Sequence, residues 1–226
     1  MENIKLNNGV KIPQLGLGVF QIEDDKVLKQ AVLAAIKAGY RHFDTATLYR
    51  NEQALGEALA ESGIARDDLF VTSKVWNTVT TYDGTKQAFA DSLQKLNMDH
   101  LDLYLIHWPT EGYLEKWRAL EDLYSQGLVR AIGVSNFEKK DLDTLLAHAR
   151  VKPAVDQVET HPYYQRPELH ALLKDLGIAY ESWGPLGRAK NGALQDPLLQ
   201  KIGQKHNKTV AQVIIRWHLQ RGEIVI

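Results

Sequence analysis

Eight short apolar segments alternate with seven amphipathic ones along almost the whole chain, and that cadence restricts the fold more than any other feature. Residues 15–18, 41–46, 69–74, 101–107, 129–136, 154–159, 178–184 and 223–226 read as buried strands, apolar runs bounded by turn signals. Between the first two, Val27, Val32 and Ile36 with Ala31, Ala34 and Ala35 form a helical stripe that stops at Ala38-Gly39. Similar stripes cover residues 51–62, 85–96, 111–124, 141–149, 166–176 and 209–219. Strand-helix alternation implies a parallel sheet with helical crossovers. Ahead of it, IKLNNGVKIP places Asn8-Gly9 between two short alternating runs, the signature of a β-hairpin.

An open doubly wound sheet and a closed (β/α)8 barrel both satisfy this cadence. A nucleotide-binding open sheet needs its first strand to run into a Gly-x-Gly-x-x-Gly loop that opens the next helix. In GLGLGVFQIEDD the glycines belong to the strand itself, and the acidic residues Glu23 to Asp25 stand where pyrophosphate would sit. The barrel is therefore the expected α/β fold, a TIM barrel with an N-terminal hairpin. Residues 1–226 are expected to form one domain, since no linker, repeat or low-complexity segment interrupts them.

A barrel gathers the C-terminal ends of its strands on one rim, where active sites are built. Asp44 ends the second strand, Lys74 the third and His107 the fourth; Ser135 and Asn136 end the fifth, Gln157 and Glu159 the sixth, and Trp183 the seventh. Tyr49 follows the second strand in DTATLYRNE. Each taken alone has a plain structural reading: an ion pair for Asp44 and Lys74, a half-buried loop aromatic for Tyr49, a helix N-cap for Ser135-Asn136. Taken together they suit one chemistry. A phenol beside an ammonium loses its proton more easily, and a neighbouring imidazole can orient the oxygen that receives it. Such a set can protonate an oxyanion as a carbonyl is reduced, but no side chain supplies hydride, so a cofactor is required.

Composition narrows the partners. The formal net charge is −1 with no long basic run, which gives no electrostatic support for nucleic acid or a membrane surface. There are no cysteines, so disulfides and thiolate metal sites are excluded, and no pair of histidines shows metal-ligand spacing with a supporting third group, so no metal is expected. No apolar run is long enough for a membrane span or a signal peptide, and a cytoplasmic protein is expected. Trp117 and Trp217 fall on helical stripes and are expected in the core.

Five stretches also resemble a known family. FDTATLYRNE is similar to the aldo-keto reductase signature around its aspartate and tyrosine, VTSKVWN to the lysine strand, and LYLIHWP to the histidine strand. IGVSNF and QVETHP resemble its nicotinamide-side motifs, all in family order, with the bacterial diketogluconate and glyoxal reductases nearest in character. The resemblance implies reduction of small aldehydes, ketones or dicarbonyls with NADPH, NADH not being excluded, by a monomer. Carried over by position, it implies Tyr49 as general acid, Lys74 as the partner that tunes it, Asp44 as the partner of Lys74, and His107 as the residue that orients the carbonyl. It further implies Asp44, Ser135, Asn136, Gln157, Trp183, Gly184 and Leu186 around the cofactor, with Trp183 stacked on the nicotinamide. Phe20, Trp76, His107 and Trp108 would contact substrate. A cofactor-sensing subunit without turnover is the alternative from the same family, and an unrelated barrel isomerase or lyase would leave the Ser-Asn and Gln set without a purpose.

Two positions depart from the family pattern. Gly184 stands where a serine usually precedes the proline, and Asp156 where asparagine is usual. Family members also continue past the eighth strand into a loop, a final helix and a segment that recognises the adenosine 2′-phosphate. With the sequence stopping at Ile226, that last helix is expected to be absent and the flank of strands one and eight exposed.

Overall fold

In the computed structural model, which describes residues 2–190 and 192–226, two short strands precede the alternating series. Strands β1 (Asn3–Lys5) and β2 (Lys11–Pro13) pair antiparallel around the Asn8-Gly9 turn as a hairpin. The eight strands that follow are β3 (Gly16–Gly18), β4 (His42–Asp44), β5 (Phe70–Val75), β6 (Leu101–Ile106), β7 (Val129–Ser135), β8 (Val155–Glu159), β9 (Ala179–Trp183) and β10 (Ile224–Val225). They lie side by side in sequence order, every pair parallel. First and last meet through a parallel bridge between Leu15 and Val225, with Val225 N donating to Gln14 O at 2.9 Å. The Gln14 side chain adds bonds to Leu219 O and Glu223 O, both 3.0 Å, so one residue ties the start of the barrel to its end.

The crossovers are α1 (Asp25–Lys37), α2 (Glu52–Glu61), α3 (Tyr82–Leu96), α4 (Tyr113–Ser125), α5 (Lys139–Leu146) and α6 (Pro167–Leu176), followed by the pair α7 (Pro197–His206) and α8 (Val210–Gln220). Helix α7 is additional to the seven expected stripes. Its apolar residues Leu198 and Ile202 are exposed, so there is no buried stripe to read; its start is instead written in Asp196-Pro197, where Asp196 accepts from Leu198 N and Leu199 N. Helix α5 also begins later than the Ser135-Asn136 cap would place it. Glu138 is the capping residue, its backbone N–H donating to Asp141 at 3.1 Å.

Two apolar layers result. One lies between strands and helices and contains Phe43, Leu55, Tyr104, Leu120, Ile132 and Leu173. The second fills the bottom of the barrel, where the hairpin residues Leu6 and Ile12 pack against Leu103, Leu105, Val155 and Ile224. Asn7 and Asn8 seal this plug by donating to Pro153 O at 2.8 Å and Arg130 O at 2.9 Å. Above the plug the inward positions turn polar: His42, Thr72 and Glu181, then Asp44, Lys74 and Gln157. Trp117 is buried as expected, whereas Trp217 is only half-buried, its ring covered by Arg221 at 4.5 Å.

Candidate active site

The strand ends open into a cavity of about 450 Å3. Of the residues named from the sequence, Phe20, Asp44, Tyr49, Trp76, His107, Trp108, Ser135, Asn136, Gln157, Trp183 and Gly184 line it. Lys74 lies beneath, fully buried, with its Nζ donating to Asp44 Oδ1 at 2.5 Å and Thr45 O at 3.0 Å. The third ligand of the ammonium is the Tyr49 hydroxyl at 3.5 Å. Gln157 Nε2 donates to the other carboxylate oxygen, Asp44 Oδ2, at 2.9 Å. A line of bonds therefore runs from β8 through β4 and β5 to the hydroxyl facing the cavity. At the next turn, before the 3-10 segment Gly187–Ala189, Pro185 and Arg188 line the cavity and Leu186 does not.

Rings frame the Tyr49 hydroxyl. Phe20 lies 4.8 Å from the Tyr49 ring centre, and His107 meets Tyr49 at 5.7 Å and Trp76 at 5.0 Å, both edge to face. Asn136, held at positive φ, donates to His107 O at 3.0 Å and to Ser135 Oγ at 2.9 Å, and accepts from Trp183 Nε1 at 2.9 Å. Ser135 Oγ in turn donates to Gln157 O at 2.7 Å. The amide and hydroxyl groups thus form a fixed edge beside the Trp183 ring.

Burial dominates the charge states. The Tyr49 hydroxyl is pushed above its ordinary value because loss of solvent outweighs the attraction of Lys74, which corrects the expectation of a lowered phenol. His107 falls to about 3, chiefly by burial and then by the positive charges of Lys74 and Lys116, so its imidazole is neutral at physiological pH. Burial works against Lys74 as well, yet the attraction of Asp44, and after it Tyr49, raises the ammonium above its usual value. Burial lifts Asp44 while Lys74 and Gln157 pull it back. The arrangement is a neutral phenol and a neutral imidazole facing one space, with a permanent cation behind the phenol. It can donate a proton and polarise an oxygen.

Several lining residues were invisible to sequence reasoning. Arg188 stands in the left-handed region with its guanidinium 4.7 Å over the Trp183 ring and 5.5 Å from Phe20, and no acid pairs with it among the described residues. Gly18, Gln21, Leu48 and Ile226 complete the wall. Only the adjacency of Arg188 to SWGPLG could have flagged it. Asp156 is buried on the opposite face of β8 from Gln157, and burial holds its carboxyl well above the usual range. No group of three or more His, Cys, Asp or Glu side chains among the described residues could hold a metal ion.

An eight-stranded parallel barrel plugged by a hairpin, with Asp, Tyr, Lys and His converging on its rim, defines a class of barrel oxidoreductase. The chain belongs to the aldo/keto reductase family, whose sequence model matches residues 14–226. It is 50% identical over 226 residues to the glyoxal reductase of Bacillus subtilis, a match that covers 100% of this chain and 81% of the relative. To the methylglyoxal reductase DkgA of Yersinia pestis it is 45% identical, with 99% of this chain and 80% of the relative covered. Among solved structures, an aldo-keto reductase from a deep-sea metagenome library of the Medee basin superimposes with a TM-score of 0.96 at 43% identity, covering 99% of this chain and 83% of the other. A Bombyx mori aldo-keto reductase in complex with NADP gives 0.93 at 36% identity, over 100% and 82%.

Proposed function

We propose that this protein reduces small aldehydes, ketones or dicarbonyls with NADPH, Tyr49 being the acid that protonates the carbonyl oxygen. The observation that carries the reading is the buried bond line Gln157–Asp44–Lys74–Tyr49 ending at a cavity whose other polar wall is His107. Supporting it on the substrate side, the relatives named above are a glyoxal and a methylglyoxal reductase. For the cofactor, a neighbour of the same fold is in complex with NADP.

The residues present fit a nicotinamide. The Trp183 ring lines the cavity as a flat aromatic surface with the Arg188 guanidinium over it, and the side chains of Ser135, Asn136 and Gln157 edge it with groups able to bond a carboxamide. When bound, the cofactor supplies the hydride that reaches the carbonyl carbon. Everything else falls to the chain. Phe20, Trp76 and Trp108 exclude water from the carbonyl, and the His107 imidazole, neutral, offers a hydrogen bond to its oxygen. Tyr49 gives that oxygen its proton as the carbon–oxygen double bond becomes a single bond, leaving a phenolate. Lys74 stabilises the phenolate by charge, and Asp44 fixes the ammonium in place. Lys74 also compensates for the raised Tyr49 hydroxyl: a weak acid at rest becomes a serviceable one once the product charge faces a permanent cation.

The test is Tyr49→Phe. Its kcat with glyoxal or methylglyoxal should fall by roughly 10^2- to 10^4-fold, the usual contribution of a positioned acid, while NADPH binding read by fluorescence is retained. Parent-like turnover in this variant would remove Tyr49 from the role.

A further inference from the structure

Below the site lies a second buried carboxyl that the chemistry above does not use. Glu181, on β9, is fully buried in the barrel interior, in register with Gln157 on one side and Ile224 on the other. Neither of its oxygens has a hydrogen-bond partner among the described residues. The Gln157 amide is directed instead to Asp44 Oδ2 at 2.9 Å. The nearest basic group is His42 Nε2 at 3.7 Å, too long for a direct bond, and that nitrogen already faces Thr72 Oγ1 at 3.3 Å. Room for the imidazole exists only because residue 16 is glycine: a Cβ there would stand 2.6 Å from His42 Nδ1.

We infer that Glu181 is a positioning residue whose bound proton keeps the buried Asp44–Lys74 pair electrically balanced, so that its loss sets the alkaline limit of carbonyl reduction.

The charge count supports this without reference to titration. The groups facing Glu181 are His42 and Asp44 from β4, Thr72 and Lys74 from β5, and Gln157 from β8, with Ile224 from β10 and Gly16 from β3 apolar. Glu223 faces away, bonded through Ser182 on the other side of β9 and held by His218 and Arg221. Lys74 and Asp44 already neutralise each other. An ionised Glu181 would leave one net negative charge in a dry interior, beside a Gln157 amide already bonded to Asp44, a costly state that proteins avoid by binding a proton. The shift follows the same sense: burial, and after it the negative charge of Asp44, raises the Glu181 carboxyl to about 8 against the opposing pull of Lys74 and of the Gln157 amide. His42 provides no counter-charge, since burial lowers it to about 3.

The link to the reaction runs through Lys74, whose hold on its proton Glu181 increases when charged. A negative charge beneath Lys74 offsets part of the positive field that stabilises the Tyr49 phenolate, so proton donation slows as Glu181 ionises. This inference rests on the carbonyl-reductase reading, and its test separates the two. Glu181→Gln keeps the shape and holds no titrating proton; Glu181→Leu serves as a second neutral replacement.

With methylglyoxal and NADPH, kcat/KM normalised to each enzyme's own value at pH 6 should decline in the parent from about pH 8. At pH 9 the Gln variant should keep more of its activity, by up to about tenfold, the ceiling one unit beyond a titration midpoint when the ionised form is inactive. Superimposable profiles overturn the inference. An independent arm needs no turnover. A folded-state value near 8 against 4.5 for the free side chain means that the parent loses stability relative to Glu181→Gln as pH rises from 4.5 to 8, with a constant difference above. A difference in Tm that stays flat over that range overturns the protonated state of Glu181, whether or not the protein reduces carbonyls. Absence of turnover in the parent with a rising Tm difference retires the carbonyl-reductase reading and the alkaline limit with it, leaving only the buried proton.

Discussion

Single residues in the barrel interior are governed by whether their charge has a partner. Lys74 and Asp44 are both essentially inaccessible and 2.5 Å apart, so each is tolerable only with the other. Lys74→Met strands the Asp44 carboxylate and should cost about 3–5 kcal/mol in urea unfolding, the usual penalty for breaking a buried pair. The double variant Lys74→Met/Asp44→Asn should recover much of that loss without recovering activity. Equal instability of single and double variants would mean that the cost lies in packing. The motif order identified these two residues from the sequence, because each sits at a strand end in a recognisable string. Glu181 and His42 were not legible in that way. His42 opens β4 and Glu181 lies in the middle of β9, both away from the strand ends that carry the motifs, and what makes them notable is what surrounds them on the neighbouring strands.

At the scale of elements, the hairpin is the part whose role follows most directly from its contacts. Strands β1 and β2 are only three residues each, too short to be stable alone, and they hold because Ile12 and Leu6 fill the barrel floor. Ile12→Ala should therefore lower stability by about 2–5 kcal/mol, as deletion of a fully buried aliphatic side chain does, measured as the shift in the urea midpoint at constant m-value. A change under about 0.5 kcal/mol would mean that the plug is not part of the cooperative core. Elements with a buried stripe were readable by period, whereas α7, with Leu198 and Ile202 in solvent, was not. The late start of α5 likewise depends on the left-handed turn at Asn136, which points that residue's amide to His107 and Trp183 and away from the helix.

For the whole molecule, buried titratable groups of opposite sense bound the range of stability. His42 is held at about 3 in the folded state against 6.5 when free, so the unfolded chain binds more protons between those values. Stability is lost as pH falls from 6.5 toward 3, and His107, shifted the same way, adds to the loss. Glu181 acts in the opposite direction, its contribution being lost as pH rises from 4.5 to about 8. His42→Gln should flatten the acid limb of a Tm-versus-pH curve and leave the alkaline limb in place; an unchanged acid limb would place the proton uptake elsewhere.

By itself the sequence determined the period of strands and helices, the order of polar residues at strand ends and, through these, the family. Such properties are local: a strand or stripe needs only its own spacing of apolar residues, and a motif only its neighbours. Closure was decided by tertiary structure, since Leu15 and Val225 meet across almost the entire chain. So were the charge states. A raised phenol at Tyr49, a neutral His107 and a protonated Glu181 depend on how much solvent the assembled barrel removes and which charges it brings near. No stretch of sequence encodes either quantity until the strands are side by side.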